Sequence, residues 1–333
     1  MKTLTMLLTL LVAIGVGAQS KYTTFGPDSN NPEGGSWLNI TAINDSGQVL
    51  GSWSTNGEAF VVSPGDVWTK NIIKTAPGLL SMNNAATIVG EAAHTDSPFY
   101  KPWGQPAEQS RYCGDGTTVN AINTAGLVAG DCPINLNRGI NGIYWSEGKI
   151  AFPHDPYPNE EVGAYAASLN NLNQIVGWWH NHSVPFSGFF YDSKSKQLNT
   201  TFNMPGAATT YPASINDNQE VVGNWFDQNG VEHGFYWNPT AGFSDIDVAG
   251  DTAMGLVGIN NSSVILGWWQ DDNTPMLVHY VTIVNGHSTA SIHVPNSQAG
   301  STVATAINNV GQVVGEYTTE EGVVRGFIYT PSK

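Results

Sequence analysis

The stretch Ile215-Asn216-Asp217-Asn218-Gln219-Glu220-Val221-Val222-Gly223, followed by His233-Gly234-Phe235, decides the architecture, because its skeleton returns along the whole chain. An asparagine and a glycine sit seven apart in Asn44/Gly51, Asn83/Gly90, Asn123/Gly130, Asn170/Gly177, Asn216/Gly223, Asn260/Gly267 and Asn308/Gly315. Successive glycines are 39, 40, 47, 46, 44 and 48 residues apart. Self-similarity at that period marks a repeat architecture in which each unit buries a face against its neighbours.

Each unit reads as strands. The residue before the asparagine is always apolar (Ile43, Met82, Ile122, Leu169, Ile215, Ile259, Ile307). The one two places before the glycine is always β-branched (Val49, Ile88, Val128, Ile175, Val221, Ile265, Val313), the mark of a strand interior. Gly47, Gly126, Gly311 or Asn173 follows the asparagine by three places in four units, which suits a tight hairpin with a positive φ. The asparagine side chain is expected to close that turn. A third strand opens on Ala59-Phe60, Gly142-Ile143, Gly188-Phe189, Gly234-Phe235 or Gly326-Phe327, and a fourth ends near proline, as in Thr201-Phe202-Asn203-Met204-Pro205. Four short strands per unit, repeated radially, predict an all-β, seven-bladed β-propeller with four-stranded blades, one domain over 19–333. The last unit stops after its third strand, whereas Tyr22-Thr23-Thr24-Phe25-Gly26-Pro27 looks like a fourth one. The N-terminal strand is therefore expected to complete the last blade and close the ring, leaving no free edge. A linear solenoid is the alternative.

The pattern Ile-Asn-Asp-x-Gly-x-Val-Val-Gly followed by a His-Ala-Phe-like tripeptide resembles the HAF family of extracellular repeats. The resemblance spans all seven units, and Ile215 to Gly223 with His233-Gly234-Phe235 matches it closely. The tripeptide is degenerate in Glu58-Ala59-Phe60, Ser187-Gly188-Phe189 and Arg325-Gly326-Phe327, so its histidine is not a required group. What the resemblance implies is export and a propeller-like fold; it implies no reaction.

Lys2 precedes the apolar run Leu4 to Ala18, which ends in Val16-Gly17-Ala18, small residues suited to signal peptidase. Residues 1–18 read as a cleaved secretory signal peptide, being too short a run for the roughly 20 residues a membrane span needs. The mature protein is expected to be extracellular, or periplasmic in a Gram-negative host, and not in a membrane. The 333-residue chain carries 12 Lys+Arg against 27 Asp+Glu, a formal charge of -15, with no basic cluster, which excludes nucleic acid as a partner. A closed ring needs no second subunit, so a monomer is expected. Cys113 and Cys132 are the only cysteines, and in an exported chain they are expected to form a disulfide across two loops of one blade face, worth roughly 3 kcal/mol.

In propellers the loops that join the second and third strands, and those entering each first strand, gather on one face, the default ligand site. The residue after each repeated glycine varies: Ser52, Glu91, Asp131, Trp178, Asn224, Trp268, Glu316. The next one is Trp53, Trp179, Trp225, Trp269 or Tyr317 in five units. Strands alternate faces. The regular aromatic is read as packing between blades and the variable residue as free to serve a ligand. Around the ring this would place Glu316, Glu91 and Asp131 on one side and Trp178, Asn224 and Trp268 on the other. An acidic and aromatic funnel suits a sugar, which stacks on tryptophan while carboxylates accept its hydroxyl hydrogens.

The expected function is binding of a small or glycan ligand on that face by Trp178, Asn224, Trp268, Ser52 and His180, with carbohydrate favoured. A different class is an enzyme in the same funnel, either a glycosidase or lyase using a carboxylate pair from Glu91, Asp131 and Glu316, or a catalyst that cyclises a hydrophobic metabolite against the tryptophans. A third is a protein-interaction platform. Trp179-His180-Asn181-His182 offers two imidazoles to a metal but no third ligand, so no metal and no cofactor is expected. Gly-x-Ser-x-Gly, His-Glu-x-x-His and phosphate-binding glycine loops are absent from the sequence.

Overall fold

The computed structural model describes residues 21–26, 38–53, 58–64, 73–74, 81–92, 97–101, 108–109, 118–135, 140–145, 148–150, 163–181, 183–247, 251–271 and 277–332. The leader, Cys113 and His182 lie outside these residues, as do the side chains of Cys132, Trp53 and Glu91. The described residues form an all-β propeller arrangement of seven four-stranded antiparallel sheets, each in simple up-and-down order. In chain order we call them I (38–74), II (81–109), III (121–150), IV (163–199), V (209–246), VI (251–292) and VII (303–330). The fourth strand of sheet VII is Lys21–Phe25, paired antiparallel with Val324–Thr330, as the truncated last unit required. Among the described residues no helix is long and apolar enough to cross a membrane.

The repeated asparagine does two jobs. In Asn170, Oδ1 accepts the Leu172 and Gln174 amide hydrogens at 3.0 and 2.9 Å, closing the hairpin, and the Asn170 and Gln174 main chains bond across its neck. The residue three places on has positive φ in all seven units, including Ala86 (56°), Gln219 (64°) and Ser263 (58°), where no glycine relieves it. The side-chain acceptor therefore holds the turn even where the backbone conformation is disfavoured. The amide nitrogen then reaches the next sheet. Nδ2 of Asn83 donates to Asn123 O, Asn123 to Asn170 O, Asn170 to Asn216 O, Asn216 to Asn260 O, Asn260 to Asn308 O, and Asn308 to Asn44 O, at 2.9 to 3.3 Å. All seven asparagines are buried. The following residues build a second, exposed ring, in which Asp217 accepts from Asn171 and Asn261, and Asp45 from Asn84 and Asn309. These turns from six sheets converge on a cavity of about 230 Å³.

The repeated glycine has a steric cause. Gly51, Gly177, Gly223 and Gly315 pair across the strands with Phe60, Phe189, Phe235 and Phe327, all at most 2% exposed. A Cβ at Gly177 would overlap the Tyr165 carbonyl and press on the Phe189 ring; at Gly223 it would meet the Tyr211 carbonyl and Phe235. The phenylalanine of the tripeptide thus packs edge-on over bare backbone. The residue before the glycine packs onto the following sheet: Val176 onto V, Val222 onto VI, Leu266 onto VII, and Val314 onto Leu38 and Ile40 of sheet I.

The regular aromatics pack toward the preceding sheet, as their alternation predicts. Trp179 is buried with Ala121 and Ala129 of sheet III, and Tyr317 with Leu266 and Ile292 of sheet VI. Trp225 and Trp269 are partly buried and stack on His233 and His279 at 4.4 and 4.5 Å. The same cross-strand position holds Ser187 beside Trp179 and Arg325 beside Tyr317, so the fold tolerates loss of the tripeptide histidine.

Candidate functional site

The first strand of several sheets carries a β-bulge beside the residue that faces the repeated glycine: Ile40/Ala42, Ala166/Ser168, Pro212/Ser214, Leu256/Gly258 and Ala304/Ala306. A bulge disrupts the ladder locally. In three sheets the variable residue after the glycine supplies a partner to the next sheet there. Asp131 Oδ1 accepts from Ala166 N at 2.8 Å, Asn224 Oδ1 from Leu256 N at 2.6 Å, and Glu316 accepts from Ile40 N. This clasp corrects the reading of the variable position as free for a ligand. Asp131 also accepts from Thr118 Oγ1 and Asn120 Nδ2, at 2.9 and 3.1 Å, so its carboxylate is tied into the frame rather than aimed across a substrate. Ser52 is 1% exposed, which removes it from any surface.

The clasp is absent where the variable residue is Trp178: its indole has no acceptor, and the residue of sheet V at the position of Ala166, Leu256 and Ile40 is Pro212, which has no N–H. Aromatic rings fill the gap between sheets IV and V. Tyr165 stacks on Trp178 with centroids 5.2 Å apart and 15° between planes, while Phe186 and Tyr211 meet its indole edge-on at 5.4 and 5.8 Å. Phe186 also touches His180 at 4.5 Å, and Tyr211 meets Phe226 at 6.0 Å. These side chains come from strand ends and the segment 183–186, on the face opposite the asparagine turns. None is buried, and Phe186 is 37% exposed. Burial, with the Asp131 charge nearby, pushes the Tyr165 hydroxyl up to about 12, so it stays a neutral donor at physiological pH.

Trp268 lies apart from this cluster. Its indole covers Gly255, where a Cβ would overlap it, and its cross-strand neighbour is Tyr280. Glu316 lies close enough to Tyr280 for its charge to act on the phenol. Burial pushes the Glu316 carboxyl above the ordinary carboxylate range, against the Ile40 N–H, and its Oε2 has no partner. A raised native pKa means the folded protein binds more protons than the unfolded chain, so stability falls as pH rises through that window. Glu316→Gln keeps the acceptor and removes the charge. The variant is expected to unfold at higher denaturant than wild type at pH 7, and the two midpoints to converge as pH falls below the unfolded carboxylate pKa; a less stable variant at pH 7 would contradict the burial cost.

Of the expected ligand contacts, the structure brings Trp178 and His180 together, gives Asn224 to the frame, buries Ser52 and sets Trp268 apart. The pairing of Glu91 with Asp131 lies outside the described side chains, and His182 outside the described residues. Tyr165, Phe186, Tyr211 and Phe226 were missed. A signal for two of them existed: five places before the repeated asparagine stand Tyr165 and Tyr211, where sheets I, III, VI and VII have Asn39, Thr118, Gly255 and Val303.

No family model matches the chain, and no curated protein does. Among solved structures, a streptogramin B lyase is similar with a TM-score of 0.56 and 12% identity, covering 93% of this chain and 98% of that one. A catalytically inactive virginiamycin B lyase from Staphylococcus aureus, with quinupristin, gives 0.57 and 11%, covering 94% and 100%. The β-propeller domain of the Trilobed protease from Pyrococcus furiosus gives 0.57 and 7%, covering 88% and 93%. At such identities the likeness is one of fold, and the fold is the β-propeller.

Proposed function

We propose that this chain is an exported, HAF-like repeat protein, a single seven-bladed ring that binds a ligand in the aromatic cleft between sheets IV and V. The observation that carries the reading is the Trp178–Tyr165–Phe186–Tyr211 cluster, partly exposed between sheets IV and V. Rings held by one another at strand ends offer a rigid apolar surface with hydroxyls at its margin. A sugar ring, flat and apolar on one face and hydroxylated at its edge, fits that chemistry, and a glycan is the ligand class we favour. Native mass spectrometry of the mature protein with a pooled oligosaccharide library tests it. Trp178→Ala is expected to weaken the retained glycan by at least about tenfold, given the energy of aromatic stacking, while Trp269→Ala leaves affinity within about twofold. Unchanged affinity in Trp178→Ala would remove the cleft as the site.

A second reading is an enzyme on the same face. It is favoured by one group, the Glu316 carboxyl, whose Oε2 has no partner and which burial holds above the ordinary carboxylate range. New product masses in the same experiment, lost in Glu316→Gln, would establish it in place of binding alone.

A further inference from the structure

A cluster of metal-ligand type lies outside the aromatic cleft. His233 is near the start of the third strand of sheet V (Glu232–Asn238), Asp245 is on the fourth (Gly242–Ile246), and Asp247 follows it. Two residues apart on extended chain, the aspartates share a face. One ligand atom from each of the three side chains lies within 4.8 Å of the others.

Three features single this cluster out. Trp225 stacks on the His233 ring at 4.4 Å and donates Nε1–H to Asp245 Oδ1 at 2.9 Å, so a residue outside the cluster orients one imidazole and one carboxylate and leaves Asp245 Oδ2 uncommitted by that bond. The two carboxylates crowd each other, each with an oxygen within 4.8 Å of the other and of an imidazole nitrogen of His233. The repeat does not call for them either. Where sheet V has Asp245 and Asp247, sheet VI has Ser291 and His293, and sheet VII has Thr24 and Gly26.

We propose that His233, Asp245 and Asp247 bind one divalent transition-metal ion of the zinc type at the loop-side rim of sheet V. One imidazole nitrogen and two carboxylate oxygens form a borderline donor set, and three protein ligands leave a fourth position to water. Metal–ligand bonds of about 2.0–2.2 Å set donors about 3.4 Å apart in a tetrahedron, a contraction that rotation of the two exposed aspartates supplies. The ion replaces the mutual repulsion of the carboxylates by attraction to a shared charge. It also ties the outer two strands of the sheet together where the chain leaves for residues 248–250.

The test is calorimetric titration of the mature, full chain with ZnCl2, together with the visible spectrum of the Co2+-loaded protein. One saturable equivalent is expected, with a Co2+ ligand-field spectrum of nitrogen and oxygen donors. His233→Ala and Asp247→Asn are each expected to weaken Zn2+ by at least about tenfold, while His279→Ala, which removes the corresponding stacked histidine of sheet VI, leaves it unchanged. Asp247→Asn is isosteric and keeps the fold testable if His233→Ala does not fold. Absence of saturable Zn2+ binding by wild type would overturn the proposal. So would binding that survives both substitutions and disappears on joint His180→Ala and His182→Ala replacement.

Discussion

Asn170→Ala is expected to destabilise the protein by about 3–6 kcal/mol, read as a fall in the urea midpoint at constant slope. Alanine leaves the Leu172 and Gln174 amide hydrogens without their side-chain acceptor, and the Asn216 carbonyl without its donor from the neighbouring sheet. Asn170 is only 3% exposed, so water does not replace these bonds, and each orphaned group costs about 1–3 kcal/mol. Asn170→Asp separates the two jobs. It keeps the acceptor for the turn but sets a carboxylate against the Asn216 carbonyl and Gln174 Oε1, so it too should be destabilising. The exposed second ring provides the contrast. Asn261→Ala removes bonds that solvent can replace, with an expected cost of about 1 kcal/mol or less. If Asn170→Ala costs no more than Asn261→Ala, the buried ring is not what staples the sheets.

Gly177→Ala is the second large effect, with an expected loss of at least about 3 kcal/mol. Its φ is not positive, so backbone strain is not the reason. By the unfolded-chain argument alone, alanine would stabilise by about 0.4–1 kcal/mol. Sterics reverse the sign, because the new methyl meets the Tyr165 carbonyl and the Phe189 edge, and neither the paired backbone nor the buried ring has room to retreat. Gly258→Ala is the matched control. There the nearest atoms are Ile307 Cγ2 at 3.6 Å and Ser214 Oγ at 4.0 Å, ordinary contact distances, so the change should be neutral or slightly stabilising. Thermal unfolding of the two variants side by side decides the matter: equal shifts would show that the Gly–Phe contact is looser than the structure has it.

These two positions also mark where a one-dimensional reading worked and where it stopped. The asparagine was legible as a turn residue, because an Asx-type acceptor and a positive φ three places on are properties of a five-residue segment. Its second role was not, because the carbonyl it reaches belongs to a residue 46 places away. The glycine was legible as a landmark only; the phenylalanine that requires it lies one hairpin further along.

The candidate site divides in the same way. Trp178 was legible as the occupant of a variable repeated position and His180 as one imidazole of Trp179-His180-Asn181-His182, but the variable position serves as a clasp in sheets III, V and VII. What commits the side chains of Asp131, Asn224 and Glu316 is an N–H in the next sheet, that of Ala166, Leu256 and Ile40 respectively. Between sheets IV and V Trp178 offers no acceptor and Pro212 no N–H, and aromatic rings meet there instead.

The amino-acid sequence by itself determined the repeat, its strands, its hairpin turns and the completion of the last sheet by Lys21–Phe25, because each of these rests on local chemistry written several times over: period-two apolarity, turn residues and a missing fourth strand. Only the tertiary structure decided which side chains meet between sheets. The Asp131 clasp joins residues 35 apart, the Trp178 cluster draws on two sheets, and His233 meets Asp245 and Asp247 across paired strands. Such meetings depend on bulge positions and on the spacing of one sheet from the next, quantities that no single segment of the chain encodes.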